Sequence, residues 1–254
     1  MKKTIHVILF MAIFWVVMSF TIGNPCYKKE KGKLIIDFNN YVGSDLLKLD
    51  SAIYKNDLEQ SFTVTNFKYY IGNIHLKRSD GKEFISNAYF LINEEDQQSK
   101  NIQLNDIPDG EYTSIGFVLG VDSLHNCSGA QSGALDPING MFWAWNTGYI
   151  FLKLEGKSPA SNSPGKIFEF HIGGYKEPSN CIKNVSLDFK NEKLNIESDK
   201  ITSIELKADA SEVLKSPVTI DLSKLSAVTD FHNATTIANN YSDMFSIQKI
   251  ANEK

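Results

Sequence analysis

Basic charge, cysteine and tryptophan are all in short supply in this chain, and each shortage removes a class of function. Of 254 residues, 26 are Lys or Arg and 30 are Asp or Glu, giving a net charge of −4. That balance leaves no basic footprint for nucleic acid and no polybasic membrane patch. Three cysteines occur without a CxxC spacing, which gives a thiolate metal cluster little support. The sequence also lacks GxSxG, HExxH and P-loop motifs, so the common hydrolase and nucleotide-binding readings have no anchor. Carboxylates such as Asp122 and Asp136 sit near turns, where capping is their ordinary role. A glycosidase pair is the weaker enzymatic alternative, and the chain reads as non-enzymatic.

Long hydrophobic runs are scarce too. Lys2 and Lys3 precede an apolar run from Val7 to Phe20, interrupted only by Ser19, followed by Thr21, Ile22 and Gly23. The run is short for a bilayer span and fits a secretory signal. The expected organisation is therefore a signal peptide over 1–23, a linker over 24–32 and one domain over 33–250, in a periplasmic or cell-surface protein. Cys26 offers membrane attachment only if it is lipidated, and Pro25 before it fits a lipoprotein site poorly.

The remaining chain, about 230 residues, suits one large β domain. Strand-like segments recur at Lys33 to Phe38, Phe62 to Leu76, Glu83 to Ile85, Glu111 to Leu119, Tyr149 to Glu155, Lys166 to Ile172, Val185 to Phe189 and Ile201 to Ala208. Turn chemistry separates several of them, as in Ser79-Asp80-Gly81 and Pro108-Asp109-Gly110. Many short strands at this spacing predict an all-β, immunoglobulin-like sandwich of two antiparallel sheets. One short C-terminal helix is expected over Thr235 to Phe245, where Ile237, Tyr241, Met244 and Phe245 recur at helical spacing. Met244 then reads as a core residue.

Two of the three tryptophans, Trp143 and Trp145, lie one residue apart in Met141-Phe142-Trp143-Ala144-Trp145-Asn146-Thr147-Gly148-Tyr149. If a strand begins there they share a face, either as sandwich core or as a paired indole surface. The block is one of four in a fixed order. Gly120-Val121-Asp122 comes first, then Asp136-Pro137, then the tryptophan block, then Phe170-His171-Ile172-Gly173-Gly174. This arrangement, closing with Asn239 to Phe245, resembles the MbnP-like family of exported copper-binding proteins, relatives of methanotroph copper-binding surface proteins. The resemblance covers roughly residues 33 to 245. It implies a β-sandwich that binds copper, with Trp143 or Trp145 oxidised to kynurenine by a di-haem cytochrome c peroxidase-like partner.

His171 matches the histidine of the family block, and alternation supports its accessibility. Phe168, Phe170 and Ile172 form the apolar face of their strand, leaving Ile167, Glu169 and His171 on the other. Neutral imidazole suits copper, so His171 is the expected direct ligand. His125 is a second candidate, although Ser123-Leu124-His125-Asn126 reverses the Asn-His order of many relatives. His75 and His232 are weaker candidates, and Met141 is a further donor for an incomplete set. The polar loop from Lys157 to Pro164 allows the tryptophan and histidine strands to form a hairpin.

Cys127 follows the first block and Cys181 the last, so folding that joins the blocks would join these cysteines in a disulfide, worth about 4 kcal/mol by loop closure. A copper-thiolate site from the same pair is the alternative. Cys26 is then odd. A rival function is an extracytoplasmic glycan- or protein-binding module using Trp143, Trp145 and Tyr149 as an aromatic contact surface.

Overall fold

A computed structural model describes residues 31–143, 148–190, 192–198, 200–229 and 233–252. The segment expected to be a signal peptide, Cys26, Trp145 and His232 lie outside the described residues. The strands, in chain order, begin with β1 (Lys31–Val42), β2 (Asp45–Leu46), β3 (Tyr54–Lys55), β4 (Ser61–Arg78), β5 (Glu83–Asn93), β6 (Asn101–Pro108) and β7 (Gly110–Leu119). After helix α1 (Ser123–Cys127) come β8 (Phe142–Trp143), β9 (Gly148–Tyr149), β10 (Leu152–Lys157), β11 (Ile167–Ile172), β12 (Lys183–Asp188) and β13 (Leu194–Ile196). The series ends with β14 (Ile201–Asp209), β15 (Ala227–Val228), helix α2 (Ala234–Tyr241) and β16 (Phe245–Asn252).

These strands form the expected all-β sandwich. One sheet runs β16-β14-β1-β2, with β6 also on β1; the other runs β12-β7-β4-β10-β11-β15, with β5, β3 and β13 attached. Period-two patterning is plain in β1, where Leu34, Ile36, Phe38 and Val42 are buried and the alternate side chains turn outward. Phe38 of β1 meets Tyr69 of β4 and Phe117 of β7 edge-on, at 6.2 and 6.0 Å between centroids, so its ring joins the two sheets. The 18-residue β4 organises the larger sheet. It pairs with β10 over residues 63–69, with β7 over 71–78 and with β5 over 68–77.

A buried polar chain also ties the sheets. The Tyr69 hydroxyl donates to Asn40 Oδ1 at 2.9 Å, Asn40 donates to Glu94 at 2.8 Å, and the Lys100 ammonium meets both Glu94 oxygens at 3.0 and 2.9 Å. Each charged member is paired, as burial demands.

Two features differ from expectation. Most pairings are antiparallel, but β1 runs parallel to β14 from Lys33↔Ile201 to Tyr41↔Asp209, and β11 runs parallel to β15. The helix expected to reach Phe245 ends at Tyr241, and Phe245 opens β16, which pairs antiparallel with β14. Core packing explains the change. The Phe245 ring sits 4.9 Å from Phe117 and 5.7 Å from Tyr69, a position fixed by the inter-sheet cluster rather than by the helical stripe. Met244 is buried in the core.

Candidate functional site

The hairpin of β10 and β11 carries the histidine block. Its register runs from Leu152↔Ile172 to Lys157↔Ile167, and the connecting loop is pinned where Ser158 donates to the Ser61 carbonyl at 2.7 Å and Ser161 to the Ile167 carbonyl at 2.6 Å. Alternation on β11 places Phe168, Phe170 and Ile172 in the core, with Ile167, Glu169 and His171 half-buried on the opposite face.

His171 keeps 18% of its side-chain surface, and its Nε2 lies 2.6 Å from Glu155 Oε1. Glu155 Oε2 accepts a bond from Asn66 at 3.1 Å. The His171 hydrogen bond, helped by the nearby Lys153 ammonium, holds the Glu155 carboxyl below its ordinary range against the opposing effect of burial. Lys153 stands directly across from His171 in the register, and its ammonium donates to the Gly140 carbonyl at 2.6 Å. Burial pushes that amine below its usual value.

The tryptophan block departs from a continuous strand. The segment expected from Tyr149 to Glu155 divides into β9 and β10, and Trp143 in β8 pairs with Gly148. Trp143 is 5% exposed and Tyr149 fully buried. The indole edge lies against Gly173: a methyl group there would sit 2.8 Å from Trp143 Cζ3 and 3.0 Å from Cη2, and would overlap the Tyr149 carbonyl oxygen. Gly173 is two residues beyond His171, so the fold brings Trp143 and His171 to the same end of the hairpin. Burial of Trp143 and Tyr149 removes both from the exposed aromatic surface that a glycan- or protein-binding module would need.

His125 belongs to a second constellation. Asp122 caps α1, its Oδ1 accepting from the His125 backbone N–H at 2.9 Å, while Oδ2 lies 2.9 Å from His125 Nδ1. The Tyr89 hydroxyl donates to the same Oδ2 at 2.7 Å and accepts from the Asp122 N–H at 3.1 Å. The Tyr89 and His125 rings meet edge-on at 4.8 Å. Burial raises the Asp122 carboxyl, but the bonds from His125 and Tyr89 outweigh it and hold the group below its ordinary value. Asn126 ties α1 to the tryptophan hairpin by accepting from the Tyr149 N–H at 3.0 Å. Asp136 also acts as the expected cap, on the Ile138 N–H at 2.9 Å. The His75 ring packs over Gly116, and Met141 is fully buried.

The cysteines correct the sequence expectation. Cys127 and Cys181 are both free. The Cys127 sulfur, exposed at the end of α1, faces the Tyr175 hydroxyl at 3.4 Å, whereas the buried Cys181 sulfur lies 3.7 Å from the Ser179 carbonyl. Each sulfur has its own local partner, and no bond joins the two. Burial pushes the Cys181 thiol up to about 12, so it stays protonated near neutrality and is a poor thiolate ligand.

Gly173, part of the histidine block, completes the surroundings of the candidate ligands together with Glu155, Asn66 and Tyr89, whose roles sequence reasoning did not single out. Copper suits the donor chemistry, because a histidine backed by a carboxylate is the usual state of a metal-binding imidazole. Among the described residues, however, no three His, Cys, Asp or Glu side chains converge as a metal-holding group. His171 and His125 are thus two separately supported donors short of a full coordination set.

No curated protein matches the chain. Among solved structures, it is similar to MbnP from Methylosinus trichosporium, with a TM-score of 0.56 and 16% identity over 86% of this chain and 98% of that one. That likeness establishes the shared fold. The MbnP family model matches residues 31–238, which include α1, the tryptophan hairpin and the histidine strand, and the chain belongs to the MbnP family.

Proposed function

We propose that this chain is an exported, non-enzymatic copper-binding protein acting in the periplasm or at the cell surface. Family membership supports a copper-associated role in a methanobactin-related system. His171 is the direct ligand, His125 a second donor, and Trp143 or Trp145 the residue oxidised by a di-haem cytochrome c peroxidase-like partner. Oxidation opens the indole to an aniline and a ketone, giving donor atoms that tryptophan lacks. The observation that carries the reading is the approach of the Trp143 indole to Gly173, two residues from a histidine already bonded to a carboxylate.

The test is copper stoichiometry and intact mass of protein made in its native host with the modifying partner present. Replacing His171 by Ala should remove most copper while the circular dichroism stays that of a β protein, because the side chain faces away from Phe168, Phe170 and Ile172. Replacing Trp143 or Trp145 by Phe should abolish the kynurenine mass for whichever is modified. Unchanged copper affinity and stoichiometry in the His171→Ala protein would overturn the assignment.

A further inference from the structure

The two candidate histidines are held by carboxylates at opposite nitrogens. A neutral imidazole has one N–H and one lone pair, and an ionised carboxylate can only accept. Glu155 therefore takes the proton-bearing nitrogen of His171, at Nε2, and Asp122 takes that of His125, at Nδ1. The difference follows from where each carboxylate stands. Asp122 is three residues before His125 at the start of α1, and its short side chain reaches the near nitrogen. Glu155 stands across the hairpin opposite Glu169, diagonal to His171, and a glutamate at that spacing reaches the far nitrogen.

Resting on the copper reading above, we propose that Glu155 is a positioning residue that fixes the Nε2–H form of His171, so that Nδ1 is the nitrogen offered to the metal. Glu155 is itself anchored by Asn66 at 3.1 Å. Along β11 the carboxylate stands at the level of Glu169 and the Trp143 indole at the level of Gly173, so they flank the histidine from opposite sides. The competing cation, Lys153, is drawn to the Gly140 carbonyl at 2.6 Å.

Nitrogen-15 NMR of histidine-labelled full-length protein tests this, with His171→Ala assigning the resonances. In metal-free protein His171 should show a single Nε2–H form with a slowly exchanging ring proton. Adding Cu(I), which is diamagnetic, should shift Nδ1 and leave the Nε2 proton in place. Glu155→Ala should lose the slowly exchanging proton and weaken Cu(I) binding about 10- to 100-fold. Glu155→Gln, which keeps an acceptor, should recover part of both, and that rescue separates positioning from a general loss of packing. A metal-free His171 that averages between its two forms, or carries its proton on Nδ1, overturns the role of Glu155 while leaving copper binding to be judged by its own titration. Cu(I) taken up on Nε2 with loss of that proton also overturns it. A fixed Nε2–H form with no Cu(I) uptake overturns the copper reading and the donor assignment with it.

Discussion

Replacing Gly173 by alanine should damage the tryptophan hairpin in a measurable way. The added methyl would sit 2.8 Å from Trp143 Cζ3 and 3.0 Å from Cη2, and would also overlap the Tyr149 carbonyl. Carbon atoms pack best at about 3.5–4.0 Å, so the indole or the backbone must retreat by roughly 0.5–1 Å. Neither has room, since Trp143 is 5% exposed and Tyr149 is 0% exposed. Overpacking of this kind costs about 1–3 kcal/mol, and the rigid carbonyl argues for the upper half. The stiffer unfolded chain returns about 0.4–1 kcal/mol, leaving a net loss of about 1–2.6 kcal/mol. Urea unfolding followed by Trp143 emission in a Trp145→Phe background measures it, and an unchanged m-value would show that only stability has moved. In a Trp143→Phe background the same substitution should cost less, because the smaller ring gives way. A Gly173→Ala protein within about 0.5 kcal/mol of its parent, with unaltered emission, would refute the packing argument.

Lys100→Ala removes the only cation that bonds Glu94 among the described residues; Glu94 is 9% exposed and keeps the Asn40 amide as its remaining described side-chain donor. Breaking a buried pair costs about 3–5 kcal/mol; partial exposure of Lys100 and the remaining amide reduce this to about 2–3 kcal/mol. Lys55→Ala, at a pair whose side chains are 60% and 77% exposed, should change stability by under about 1 kcal/mol in the same denaturation assay, and equal losses would refute the distinction. In a Cys26→Ser protein, a thiol reagent should label Cys127 in the native state and Cys181 only after unfolding. At pH ~9 Cys181, pushed up to about 12 by burial, should still be protonated and slow to label. Protection of both cysteines until a reductant is added would restore the disulfide.

Period-two alternation made β11 legible from the sequence, because the faces of a strand depend only on residue spacing; hence Phe168, Phe170 and Ile172 point inward and His171 does not. Turn and cap chemistry is equally local, so the loop joining β10 to β11 and the capping roles of Asp122 and Asp136 could be read directly. Local spacing could not reveal that β1 pairs in parallel with β14, or that Phe245 leaves the helical stripe to fill the space between the sheets. The same limit applies to the site. Tyr89 reaches Asp122 from 33 residues away, Glu155 reaches His171 only because their strands are neighbours in one register, and Trp143 is buried because Gly173 leaves a gap for its ring. The cysteines make the point in reverse, since flanking joined motifs is a statement about chain order whereas a disulfide requires two sulfur atoms aimed at each other. Residue order thus determined the faces, turns and compartment expectations of this protein. Tertiary packing alone decided which side chains meet, because those distances are set by pairing between segments that the chain brings together from far apart.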